Sequence, residues 1–126
     1  RFHEAKEKNL PYVTCWGDGS PLREFLYVDD LANLCVFLMN NYSGNETVNA
    51  GTGKECTIKD LTERVARIIG YTGEIRWDPS KPNGTPRKLL DVSKSKAMGW
   101  EPKTSLDEGI RLTYEDFLHN PMRAER

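Results

Sequence analysis

With 126 residues, 37% of them hydrophobic, the chain has material for one domain with a modest core. Its 18 basic and 19 acidic residues leave a formal net charge of −1, which argues against a nucleic-acid surface or a polybasic membrane patch, so a charged ligand must be met by a local cluster. No apolar run approaches a membrane span, and Cys15, Cys35 and Cys56 are odd in number and lack metal-ligand spacing, a pattern that fits a reducing cytoplasm.

In chain order, Arg1 to Lys8 has helical composition, with Glu4 and Lys8 four apart and no capping residue ahead, so the chain reads as beginning inside a helix of a longer protein. Tyr12 to Trp16 and Leu22 to Val28 read as strands around a Gly17-Asp18-Gly19-Ser20-Pro21 turn, and a hairpin is their simplest pairing. Such a hairpin sets Trp16 near Arg23. A flat ring beside a guanidinium suits a base or sugar next to a phosphate, and ordinary cross-strand packing accounts for the same two residues. Asp29 or Asp30 is placed to cap a helix from Leu31 to about Asn40. Leu31, Leu34, Cys35 and Leu38 form one face of that helix, while Val36, Phe37 and Met39 cover much of the rest. An apolar surface of that width needs partners on two sides, which makes Leu31 to Met39 a candidate interlobe helix.

Glu46 to Ala50 reads as a short strand ending in Gly51-Thr52-Gly53, and Thr57-Ile58-Lys59-Asp60 offers a cap for a helix with Ile58, Leu61, Val65 and Ile68 on one face and Gly70 at its end. Glu74 to Asp78 is a strand candidate. Ser93 to Met98 is a short helix stopped by Gly99, and Ser105 caps a last helix that turns Ile110, Tyr114 and Phe117 inward before a polar tail from His119. Short strands alternating with helices predict a compact α/β or α+β lobe.

The segment from Ser80 to Asp91 concentrates chemistry. Lys81, Arg87 and Lys88 share it with Pro82, Pro86 and an Asn83-Gly84 turn, so three cations on a stiffened loop are candidates to converge on a phosphate-rich ligand. Composition alone is equally consistent with a solvated connector. Gly51-Thr52-Gly53 lacks the third glycine of a dinucleotide fingerprint, and no tyrosine is followed four residues later by a lysine. His3 and His119 have no metal-ligand spacing.

Three segments together carry a family likeness: Trp-Gly-x-Gly-x-Pro-x-Arg-Glu-Phe-Leu-Tyr-Val-Asp-Asp at 16–30, Val-Asn-Ala-Gly-Thr-Gly at 48–53, and Lys-Pro-Asn-Gly-Thr-Pro-Arg-Lys-Leu-Leu-Asp at 81–91. The chain closely resembles the GDP-L-fucose synthases, the GDP-4-keto-6-deoxy-D-mannose epimerase/reductases of the extended short-chain dehydrogenase/reductase superfamily. The resemblance implies that residues 1–126 form the carboxyl-terminal, substrate-binding α/β portion of such an enzyme, less than half of it, with the Rossmann lobe lying upstream. It further implies that Arg1, Trp16, Arg23, Asn83 and Lys88 occupy positions that contact the GDP-sugar, with asparagine at 83 where many relatives carry aspartate. The upstream lobe is then expected to bind NADPH and to supply the Ser, Tyr and Lys of hydride transfer and the Cys and His of epimerisation. This chain is accordingly expected to hold no catalytic, cofactor-binding or metal-binding residue. The whole enzyme is expected to be a cytoplasmic homodimer that binds neither nucleic acid nor membrane.

Overall fold

A computed structural model describes residues 1–120, so nearly all of the polar tail expected after His119 lies outside the described residues. Among the described residues five helices and five short strands are interspersed: α1 (Phe2–Glu7), β1 (Tyr12–Trp16), β2 (Leu22–Glu24), α2 (Val28–Asn41), β3 (Glu55–Thr57), α3 (Ile58–Ile69), β4 (Glu74–Asp78), β5 (Arg87–Lys88), α4 (Ser93–Ala97) and α5 (Leu106–His119). The α/β expectation holds.

The expected hairpin does not form. β1 pairs in parallel with β4, from Tyr12 opposite Glu74 to Trp16 opposite Asp78, while β2 lies in a second sheet of order β3-β2-β5, antiparallel to β3 and parallel to β5. Parallel strands need a long crossover, and α3 lies in the stretch that connects β1 to β4. The turn between β1 and β2 is committed elsewhere: Gly17 and Gly19 both adopt φ near +76°, and the carbonyls of Gly19 and Pro21 accept the Lys59 and Ile58 amides at the start of α3. The chain leaving β1 is thereby bent into a different sheet.

β1 shows the alternation that a one-sided strand requires. Val13 and Cys15 face inward, and Tyr12, Thr14 and Trp16 face out. Val13 joins Ala5 of α1, Ala66 of α3 and Tyr71 in a buried cluster, against which Phe2, Cys15 and Ile75 pack. α3 has both of its expected ends: the Thr57 hydroxyl accepts the Asp60 amide at 3.0 Å, and Gly70 closes the helix with φ +80°. Ser105 caps α5 in the same way, accepting the Glu108 amide at 3.3 Å.

Two further expectations are corrected. α2 begins earlier than expected and is N-capped by Tyr27, without a side-chain cap, so Asp29 and Asp30 sit inside its first turn, where negative charge suits the helix dipole. Buried Asp30 instead accepts the Thr104 amide at 2.9 Å, tying α2 to the segment that enters α5. Glu46 to Ala50 is not a strand. Side chains pin it: Lys94 donates to the Glu46 carboxylate and to the Thr47 carbonyl, and Asn49 donates to the Asp91 carbonyl.

Candidate functional site

β2 is three residues long, and its neighbours decide what its side chains meet. Arg23 stands opposite Cys56 on β3 and opposite Lys88 on β5, while Leu22 stands opposite Thr57 and Arg87. Side chains alternate between the faces of a sheet, so Arg23 and Lys88 share one face and Arg87 projects from the other. On that other face Arg87 forms a two-pronged ion pair with Glu55 across β2, at 2.8 and 2.9 Å, which holds its guanidinium pKa above the ordinary value. Lys81 lies near Asp78 and helps to lower that carboxyl's pKa, behind the larger effect of the Ser80 hydroxyl. The three loop cations therefore do not converge. The structure pairs Lys88 with Arg23 instead.

Like charges directly opposite one another on neighbouring strands are destabilising unless an anion offsets them. Among the described residues neither Arg23 nor Lys88 forms an ion pair, and the one hydrogen bond of the Arg23 side chain, 2.7 Å from Nη1, goes to the adjacent Leu22 carbonyl. The other guanidinium nitrogen, Nη2, lies 3.7 Å from where a side chain on Gly84 would begin. Arg23 thus reaches the Asn83-Gly84 turn.

That turn is clasped onto the end of β1. The Asp78 carbonyl accepts amides from both Gly17, at 2.8 Å, and Lys81, at 3.2 Å, so the two turns lie side by side. Asn83 Oδ1 then accepts the Asp18 amide at 2.8 Å. A backbone N–H can only donate, which fixes the oxygen of the Asn83 side chain toward Asp18 and leaves the amide NH2 for other acceptors. Gly17 is required here, because a Cβ at that position would stand 2.0 Å from Asn83 Oδ1. Hydrogen bonds from Ser20 to the Asp18 carboxylate hold that group below its ordinary pKa and keep the turn compact. Trp16, 60% exposed, precedes the clasp at the end of β1 and offers a bare indole beside it.

Arg1 is less tightly joined to this group. Its guanidinium reaches the Thr14 carbonyl of β1 at 3.5 Å, two residues before Trp16, and its charge partly offsets the upward push that burial gives the Cys15 thiol. It lines an apolar cleft of about 580 Å³ between α1, α3 and α5, with Phe25, Val65, Ile110 and Phe117 among the other walls.

Sequence reasoning missed the roles of Gly17, Asp18 and Glu24. Glu24 explains the glycine-rich 51–53 loop: its carboxylate accepts the Gly53 amide at 2.8 Å, and a Cβ on Gly51 would stand 2.1 Å from it. A carboxylate seated there repels phosphate. The only signal was the Glu following Arg23, which local sequence does not connect to a loop far downstream.

The pattern of the NAD dependent epimerase/dehydratase family matches residues 1–51. Along its whole length the chain is 56% identical to a protein of Arabidopsis thaliana called putative GDP-L-fucose synthase 2, and it spans 38% of that protein. The likeness is to the NAD dependent epimerase/dehydratase family over residues 1–51 and to GDP-L-fucose synthases over the whole chain. Another relative, the GDP-L-fucose synthase of Escherichia coli, is 44% identical over 98% of the chain, which spans 41% of that protein. The fold agrees: a GDP-L-fucose synthetase from Naegleria fowleri, solved bound to NADP, superposes with a TM-score of 0.91 at 25% identity over 99% of the chain and 40% of that structure. The arrangement of short strands and helices is therefore part of the extended short-chain dehydrogenase/reductase fold. Among these relatives the chain spans about two fifths of the whole. Among its described residues no helix is long and apolar enough to cross a membrane, and no cluster of His, Cys, Asp and Glu is arranged to hold a metal ion.

Proposed function

We propose that this chain is the carboxyl-terminal, substrate-binding part of a GDP-L-fucose synthase, with Arg23 and Lys88 holding the diphosphate of the GDP-sugar. The observation that carries the reading is their placement: two cations on facing strands, on one face, without a carboxylate partner among the described residues. An anion between them turns a repulsive pair into two charge-assisted contacts. Trp16 provides a flat surface for the base or sugar, and the Asn83 NH2, left over once Oδ1 is engaged, donates to the ligand. Arg1 approaches from the side of β1.

In this reading the complete enzyme epimerises GDP-4-keto-6-deoxy-D-mannose and reduces it with NADPH in the cytoplasm, as a homodimer. The three cysteines are free thiols, in keeping with that compartment. The cofactor and the acid, base and hydride-transfer groups belong to a part of the enzyme outside this chain. The residues present bind and orient the sugar, which raises its effective concentration at those groups. A row of exposed side chains on α2 supports the division: Val28, Leu31, Ala32, Cys35, Val36 and Met39 follow helical spacing along one stripe, with Met39 83% exposed, so Leu31 and Cys35 do not share a buried face with Leu34 as expected, and Leu34 alone of those three is buried. The expected interlobe helix is thus covered on one side and bare on the other.

The test is calorimetric titration of the full-length enzyme with GDP-sugar. Arg23→Ala and Lys88→Ala should each weaken binding roughly ten- to a hundredfold, the loss of one charge-assisted contact of about 1.5–3 kcal/mol. NADPH affinity should stay unchanged. Lys8→Ala, at the exposed end of α1, is the control of equal charge. If both site variants bind GDP-sugar as tightly as that control, the assignment fails.

A further inference from the structure

We propose that Asn83 is a site of spontaneous deamidation, through which the clasp residue becomes a carboxylate or isoaspartate in the folded protein. Of the eight asparagines in the chain, Asn83 alone precedes a glycine. The Gly84 nitrogen is therefore not screened by a side chain of its own residue, and Gly84 has φ +76°, with its empty Cβ position approached no nearer than 3.7 Å, by the Arg23 guanidinium. Residues 79–91 are exposed throughout, so water reaches the turn.

The chemistry needs only water. The Gly84 nitrogen, once it gives its proton to solvent, attacks Asn83 Cγ and forms a C–N bond, placing negative charge on Oδ1. The intermediate collapses by expelling Nδ2, which takes up a proton and leaves as ammonia. Water then opens the resulting five-membered imide, at Cγ to give aspartate or at the main-chain carbonyl to give isoaspartate. No electrons are exchanged, and the net reaction consumes one water and releases one ammonia.

Two features of the fold favour the first step. Asp18 N–H points at Oδ1 from 2.8 Å, a fixed backbone donor on the atom where negative charge develops. The Arg23 guanidinium, 3.7 Å from the Cβ position of Gly84, adds positive charge to the turn in which the deprotonated nitrogen forms. Neither product is neutral to the site. Aspartate retains an acceptor for Asp18 N–H but adds a negative charge beside Arg23 and Lys88, whereas isoaspartate lengthens the main chain and pulls the clasp apart.

The experiment is peptide mass mapping of the full-length protein held at mildly alkaline pH and physiological temperature, folded and in denaturant, with Asn83→Gln beside it. The folded protein should gain the mass of an NH2-to-OH exchange in the peptide containing residue 83, ahead of every other asparagine. Its rate should lie within roughly tenfold of the denatured rate, so that folding adds little to the barrier. Asn83→Gln should not gain that mass. Conversion in denaturant with none in the folded protein, or a faster gain at another asparagine, overturns the proposal.

Discussion

Replacing Gly17 with alanine tests the clasp directly. The new Cβ would stand 2.0 Å from Asn83 Oδ1, a distance that forces the Asn83 side chain to move and breaks its hydrogen bond from Asp18. Two losses add. Holding alanine at φ +76° costs about 1–2 kcal/mol, and the hydrogen bond contributes about 0.5–1.5 kcal/mol. The sum is about 1.5–3.5 kcal/mol, measured as a fall in urea-unfolding stability at constant m-value in the full-length protein. Gly99 supplies the internal control, because it also has positive φ, +90°, but nothing lies within 4 Å of its Cβ position. Gly99→Ala should therefore show only the backbone share of the loss. Gly17→Ala should in addition weaken GDP-sugar binding, since the turn beside Arg23 is no longer held. Equal losses in the two variants, with GDP-sugar affinity intact in both, would refute the clasp.

Acid should loosen the joint between α3 and α5. Asp107 bridges Arg67 and Arg64, and those guanidiniums hold its carboxyl pKa below the ordinary value. A depressed folded-state pKa means that the stabilisation is present above the unfolded value of about 3.9 and is lost as pH falls through the lower folded value. Thermal melts across that acidic range should show a steeper decline for the wild type than for Asp107→Asn. On α2, Val36→Lys with Met39→Lys should cut the binding of a hydrophobic dye to the isolated chain, whereas in the full-length protein the same pair should lower stability; unchanged dye fluorescence would show that the stripe is not the sticky surface.

Local signals were legible wherever the determining contact lies within a few residues. Thr57 and Ser105 cap their helices from three residues away, Gly70 ends α3 by its own φ, and the alternation of β1 is visible in Tyr-Val-Thr-Cys-Trp. Pairing was not legible. The strand spacing around Gly17 to Pro21 resembles a hairpin, but the carbonyls of that turn are taken by α3, whose start lies far along the chain. The cations of the candidate site were legible by residue type and not by direction. Arg87 and Lys88 are adjacent in sequence, so β5 sends them to opposite faces. Which of the two belongs with Arg23 depends on a strand of two residues that no propensity marks.

The pairing of β1 with β4 also sets the order in which the chain can assemble. Tyr12 to Trp16 is made before its partner Glu74 to Asp78, which follows both β3 and α3. Contacts so distant in sequence form slowly, and through that interval the strand presents unpaired amides and carbonyls beside Val13 and Trp16. A nascent chain arrested between α3 and β4 therefore carries an open strand edge, the kind of surface that other chains can join before its own partner arrives.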